Sequence, residues 1–143
     1  MVVEMSVRFL AVVAFFALLS CLRATESGIQ KEILAQSETS WDGAILPSYP
    51  EGQPQISVVK FTIPPKSQLP WHKHPSINAG CLIKGEITVL SESGEERLIR
   101  EGEGLIELVD TWHYGRNDGE VPAEIIVVYA GVKSESLAIM KDE

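Results

Sequence analysis

Basic residues are few in this sequence. Lysine and arginine together number 12 against 20 aspartates and glutamates, which gives a formal net charge of −8. Nucleic acids are bound through clusters of lysine and arginine, and no such cluster is visible. The sequence therefore predicts no nucleic-acid partner, and its 143 residues favour one domain, since domains usually contain about 100–200 residues.

Long apolar runs are absent apart from one 11-residue stretch, Phe9–Leu19. A membrane-spanning helix needs about 20 apolar residues, so this stretch is too short to cross a bilayer comfortably. Arg8 precedes it and small or polar residues follow, which is typical of a secretory signal peptide. The sequence predicts a signal peptide over residues 1–24 and export to the periplasm or the medium, with a buried N-terminal helix as the alternative.

Cysteine is also scarce, with only two residues in the chain, Cys21 and Cys81. The segment Leu18–Cys21 resembles a bacterial lipoprotein cleavage box, so a lipid anchor on Cys21 is a second interpretation and the one membrane contact that we expect. Loss of the signal segment leaves Cys81 alone. No intramolecular disulfide can then form, and the domain must be held together by its core.

The segments that follow the signal are short and β-rich. We expect an N-terminal strand and loop arm over 25–55, a barrel over 56–134 and a polar tail over 135–143. Turn residues recur about every 8–12 residues without a helical period, which is typical of an antiparallel all-β sandwich or barrel. The predicted strands are Ile56–Ile63, Ala79–Leu90 bent at Gly85, Arg97–Arg100, Gly104–Val109, Thr111–Gly115 and Glu124–Ala130, with hairpin turns at Gly94 and Gly119.

The chain has three histidines, His72, His74 and His113. In a strand, residues i and i+2 face the same side, so the first two imidazoles should project into one interior. His113 lies 39 residues after His74 and can join them only if the sheet closes. Neutral imidazole suits Zn, Cu, Fe and Ni, so the pattern favours a metal site. Three structural histidines are the alternative.

The residues around these histidines resemble the two motifs of the cupin superfamily, and in particular its small single-domain members of the conserved-barrel type. The resemblance covers about Ile56 to Gly131. It implies an antiparallel jelly-roll β-barrel, a central divalent metal (Fe, Mn, Ni, Zn or Cu), a small-molecule ligand and a homodimer. The matching positions are His72, His74 and Gly85 in the first motif and Gly102, His113 and Asn117 in the second.

The departures from the family pattern bear on turns and on the metal. Lys66 replaces the glycine that opens the first motif, and Leu108 and Asp110 replace the proline and glycine of the second. Asn78 stands where the family has a glutamate ligand. An amide offers only a neutral oxygen, so Asn78 would be at best a weak fourth ligand beside the three histidines.

The resemblance implies an exported metal-dependent cupin that acts on or binds a small molecule. Dioxygenase and isomerase are the reaction classes it suggests, and no catalytic acid or base is identified among the residues. Neither a P-loop, a dinucleotide fingerprint nor a Ser-His-Asp set can be assigned. A non-catalytic small-molecule or metal-binding module and a metal-free dimeric β domain are the alternatives.

Overall fold

The structure, a computed structural model, describes residues 28–141. The chain divides into two units, residues 1–31 and 32–143, and the account below concerns the second. The predicted signal peptide and Cys21 lie outside the described residues. Among the residues that the structure describes, no helix is long and apolar enough to cross a membrane.

Ten β-strands form the described part of the chain, which contains no α-helix. They are β1 (Pro54–Ile63), β2 (Ser67–Gln68), β3 (His72–Lys73), β4 (Ile77–Lys84), β5 (Glu86–Ser91), β6 (Glu96–Arg100), β7 (Gly104–Ile106), β8 (His113–Asn117), β9 (Ala123–Val132) and β10 (Ile139–Met140).

The strands form two antiparallel sheets. One has the order β1-β9-β4-β7, and the other has the order β10-β3-β8-β5-β6 with β2 paired to β8. This is the antiparallel jelly-roll barrel that the sequence predicts, and the fold class is confirmed.

Alternation of side chains builds the core between the sheets. Along β9 every second residue is buried, from Ala123 to Tyr129, and its neighbours face outward. Ile87 and Val89 supply the same alternation on β5. The buried apolar cluster comprises Ile63, Leu82, Ile87, Val89, Ile99, Leu105, Ala123, Ile125, Val127 and Tyr129. Its burial supplies the main driving force for folding.

One of the two predicted hairpin turns is confirmed. Gly94, at φ 89°, lies between β5 and β6, which pair with each other. Gly119 lies between β8 and β9, which belong to different sheets, so the prediction of a hairpin there is wrong. Glycine is the turn residue in both cases, but at Gly119 the chain passes from one sheet to the other.

Two of the departures from the family pattern keep a glycine-like backbone. Lys66 (φ 54°) and Asp110 (φ 51°) lie in the left-handed region that favours glycine. Gly85 and Gly102, which match the motifs, have φ 74° and 85°. The barrel therefore retains the turn geometry of the motif at all four positions, and the two substituted residues carry the strain.

The chain on either side of the barrel differs from the predicted arm and tail. Residues 28–53 form no strand beyond a single bridge between Thr39 and Ile45. The backbone N–H of Trp41 donates to Ile106 O, which fastens this arm to β7. Within the predicted polar tail, β10 pairs with β3, so this segment completes a sheet.

Candidate metal centre

The three histidines converge inside the barrel. His72 on β3 lies opposite His113 on β8, and His74 follows β3. All three side chains are buried, and one ring nitrogen from each lies within 4.8 Å of the other two. This cluster can hold a metal ion. The sequence pattern brings these residues together as expected, although β3 is only two residues long.

Backbone carbonyls fix the tautomer of each imidazole. The Nδ1 atoms of His72, His74 and His113 lie 2.8, 2.8 and 2.7 Å from the carbonyl oxygens of Pro70, Leu137 and Thr111. A carbonyl oxygen only accepts, so each Nδ1 carries the hydrogen. In the neutral ring, Nε2 then presents a bare lone pair. Such outer hydrogen bonds orient metal-binding histidines in proteins.

Burial keeps the imidazoles in the form that binds metal. Desolvation lowers the pKa of His72 and of His113, and it lowers the pKa of His74 to about 4. Hydrogen bonds to the backbone carbonyls oppose this effect without overcoming it. The neutral form therefore dominates at neutral pH, and a metal ion would not have to displace protons from these rings.

Three buried acceptor atoms around the cluster have no hydrogen-bond partner. They are Asn78 Oδ1, Glu107 Oε2 and His113 Nε2. The amide nitrogen of Asn78 donates to Ser76 O at 3.3 Å, which leaves its oxygen free. Buried polar atoms are almost always partnered, so three unsatisfied acceptors on residues that line one cavity favour a cation there.

Glu107, which no motif in the sequence singles out, lies beside the cluster. It follows β7, is buried, and places Oε2 3.8 Å from His113 Nε2. Burial raises the pKa of its carboxyl to about 7. His72, the Leu108 N–H and the Trp41 indole N–H lower that pKa by smaller amounts, and the Trp41 Nε1 atom does not complete a hydrogen bond. The available signal was one carboxylate within the apolar run Leu105–Val109.

The cluster opens into a cavity of about 130 Å³. Its polar lining consists of the three histidines with Asn78, Glu107 and Tyr129. The other lining residues are apolar: Phe61, Ile63, Leu69, Pro70, Ile87, Val89, Gly115, Ile125, Val127, Ala138 and Met140. The site is thus a small chamber with a mostly apolar lining, and its polar side chains include the three histidines.

The aromatic residues next to the histidines in the sequence, Trp71, Trp112 and Tyr114, are not part of the cavity lining. Trp71 packs edge-on against Tyr114, with ring centroids 4.6 Å apart, and Lys141 lies over Trp112. The alternation along the strands predicts this outward orientation.

Asn117, which matches the last position of the second motif, has a structural role. It donates to the carbonyls of Ile63 and Val121 and accepts from the Gly119 N–H. It therefore holds the crossover between β8 and β9.

Comparison with known proteins identifies the family. Residues 59–129 match the family model described as "Cupin domain". The chain therefore belongs to the cupin family, in agreement with its motifs and its barrel.

Individual relatives match part of the chain. A cupin-domain-containing oxidoreductase (virC) of Hypocrea virens is 29% identical over 66 residues, which is 45% of this chain and 34% of that protein. The DMSP lyase DddQ from Ruegeria pomeroyi DSS-3 superposes with a TM-score of 0.53 at 20% identity, over 60% of this chain and 43% of that one. Oxalate oxidase in complex with the substrate analogue glycolate gives 0.52 at 22% identity, over 59% and 45%.

This chain spans about a third of the curated relative and less than half of each of these two solved structures. At these identities the structural likeness establishes the fold.

Proposed function

We propose that this protein is an exported metal-dependent cupin that acts on or binds a small molecule, with His72, His74 and His113 holding a divalent transition metal. The observation that carries the proposal is the common orientation of the three imidazoles. Each Nδ1–H donates to a backbone carbonyl, so each ring offers a bare Nε2 within one buried cluster. Three structural histidines would have no need of a shared tautomer.

Metal content is the first test. Protein purified without a tag from its own compartment should contain close to one equivalent of Fe, Mn, Ni, Zn or Cu per chain. His113→Ala should lose the metal. Lys73→Ala, which removes an outward-facing side chain between His72 and His74, should retain the metal. A wild-type protein with almost no metal, whose thermal stability is unchanged by His113→Ala, would contradict the proposal and favour a metal-free β domain.

The cavity indicates a small substrate. Its volume of about 130 Å³ is well below the ~300–1,000 Å³ of pockets for drug-sized ligands. Among the described residues that line it, none is a lysine or arginine. A small acid would therefore find no side-chain cation in the chamber, and its carboxylate would have to approach the metal. The named activities of the oxalate oxidase and the DMSP lyase, both on compact molecules, are consistent with this size.

The reaction classes that we propose are dioxygenase and isomerase. A bound metal would supply Lewis-acid or redox chemistry. The chain would contribute the three nitrogen ligands, the apolar walls that exclude water, and the Tyr129 hydroxyl, whose pKa burial raises to about 12 so that it stays protonated. Oxygen consumption by metal-loaded protein, measured with thiols, phenolics, keto acids and small dicarboxylic acids, tests the first class.

A non-catalytic binding module is the second candidate. The predominance of apolar side chains in the lining favours it, because few groups remain to move protons. Binding of a panel compound, seen as a rise in melting temperature without oxygen uptake or isomerisation, would support this candidate. Turnover of any panel compound would refute it.

We also propose that the protein is a homodimer. The outer face of the sheet β1-β9-β4-β7 exposes Ile56 (62%), Val58 (68%) and Val128 (40%), and Val58 lies directly opposite Val128. A contiguous exposed apolar patch of this kind often marks an interface. Light scattering after size exclusion should give twice the chain mass, and Val58→Glu should give the monomer. A wild-type monomer at tens of micromolar would overturn the proposal.

Export is a proposal from the sequence of residues 1–24. Fractionation of a bacterial host that expresses the full chain should place the protein outside the cytoplasm, and deletion of residues 2–24 should retain it inside. Mass spectrometry of the mature N-terminus distinguishes cleavage after Ala24 from a lipidated Cys21. An intact N-terminus on cytoplasmic protein would contradict export.

A further inference from the structure

The carboxyl group of Glu107 lies beside the position where the family pattern has its glutamate. Strands β4 and β7 pair antiparallel with Ala79 opposite Ile106, so Glu107 emerges next to Asn78. The backbone N–H of Glu107 donates to Asn78 O at 3.1 Å. Both side chains line the cavity that contains the histidines. A carboxylate is therefore present in the chamber, but on the neighbouring strand.

The side chains of Glu107 and His113 face each other without forming a hydrogen bond. Glu107 Oε2 lies 3.8 Å from His113 Nε2, and neither atom has a hydrogen-bond partner. Because His113 Nδ1 donates to Thr111 O, the neutral ring presents Nε2 as an acceptor. An ionised carboxylate is also an acceptor. Two buried acceptors that face each other are satisfied by a cation between them, and Asn78 Oδ1 is a further unpartnered acceptor on a residue that lines the same cavity.

We propose that Glu107 is the carboxylate ligand of the metal ion and takes over the role of the glutamate that Asn78 replaces. This inference rests on the proposed three-histidine site. It assigns the chain a complete set of three imidazoles and one carboxylate. It also explains how the barrel tolerates asparagine at position 78, because the anionic ligand comes from a different strand.

Binding of Co²⁺ to metal-free protein tests this assignment, because the visible spectrum of bound Co²⁺ reports its ligand set. Glu107→Gln should weaken Co²⁺ binding, measured by calorimetry, at least about 10-fold. Loss of a group that only contacts a ligand already costs about that much, so loss of a ligand should cost no less. The substitution should also alter the visible absorption bands. Glu101→Gln makes the same change at an exposed position before β7 and should alter neither. The double variant Asn78→Glu/Glu107→Gln should recover affinity, since it returns the carboxylate to the neighbouring strand.

The two proposals fail in different ways. If wild-type protein binds no Co²⁺ and His113→Ala changes nothing, the metal site itself is wrong and this inference is overturned with it. If wild-type protein binds Co²⁺ and His113→Ala abolishes binding, but Glu107→Gln keeps the wild-type affinity and spectrum, only the role of Glu107 is overturned. If Glu107→Gln does not fold, Asn78→Glu/Glu107→Gln is measured in its place. A Co²⁺ spectrum and affinity unlike those of the wild type would then contradict the proposal that a carboxylate at position 78 can replace the one at position 107.

Discussion

Replacing Glu107 by glutamine should make the metal-free protein more stable at alkaline pH. Burial raises the pKa of this carboxyl from 4.5 to about 7. The folded state therefore holds the proton more tightly than the unfolded chain, and the stability that this provides is lost as the pH rises from about 4.5 to about 7. Each pKa unit corresponds to about 1.4 kcal/mol, so the ionised carboxylate costs about 3 kcal/mol above pH 7.

Glutamine cannot ionise, and its amide can donate a hydrogen toward His113 Nε2, the unpartnered acceptor that the Glu107 side chain faces. We therefore expect the free energy of unfolding of metal-free Glu107→Gln to exceed that of the wild type by about 3 kcal/mol at pH 8. Near pH 4.5 this advantage should be small, because the wild-type carboxyl is then protonated in the folded state. The interaction of His72 with the Glu107 carboxylate is lost in the variant, and this smaller Coulombic contribution acts against the larger effect of burial.

Urea unfolding of chelator-treated protein at several pH values, followed by tryptophan fluorescence, measures this difference. Glu101→Gln controls for the amide substitution itself. A difference between wild type and Glu107→Gln that stays constant from pH 5 to pH 8 would refute the reasoning, because it would mean that the carboxyl is not desolvated. Addition of Co²⁺ should reverse the order of stability, since the ion stabilises the form that binds it more tightly.

Further predictions concern the barrel and its ends. Removal of residues 137–143 deletes β10 and the carbonyl that orients His74, so Co²⁺ affinity should fall at least about 10-fold, and an unchanged calorimetric titration would contradict this. Gly85→Ala should destabilise the protein by at least about 1 kcal/mol more than Gly94→Ala. Both glycines have positive φ, but only at Gly85 would an added Cβ approach a backbone oxygen, that of Pro122, to 3.0 Å. Equal urea midpoints for the two variants would refute this crowding. Asn117→Ala should cost about 2 kcal/mol or more in the same assay, because two carbonyls lose a buried donor. As the pH falls from 6.5 toward 4, metal-free wild type should lose stability relative to His74→Gln, since the pKa of His74 is about 4 in the folded state and only the unfolded chain takes up the proton; a constant difference between the two proteins over this range would contradict it.

The longer strands could be predicted because their side chains carry the signal themselves. β1 and β9 are rich in β-branched and other apolar residues, so the sequence places both within two residues at either end. β2, β3 and β10 have two residues each and cannot display an alternation. Their existence depends on strands that lie far away in the sequence, which is why the predicted polar tail contains a strand.

The candidate site divides in the same way. His72, His74 and His113 could be assigned from their spacing and from the family motifs, and the structure clusters them. Glu107 could not, because its inward orientation depends on the pairing of β7 with β4. A carboxylate within an apolar run suits a surface strand equally well until its partner strand is known. The position of Gly119 at a crossover between the two sheets likewise depends on sheet order and not on turn chemistry.

The hydrogen bond from His74 to Leu137 has a consequence for how the protein would acquire its ion. Leu137 and β10 leave the ribosome after the other strands that surround the cavity, yet they orient one of the three imidazoles. A nascent chain that lacks them already contains all three histidines, but the imidazole of His74 has no Leu137 carbonyl to accept from its Nδ1. The orientation of this third nitrogen is therefore completed only when the last segment pairs with β3. The metal would therefore be drawn from whichever compartment the chain finishes folding in.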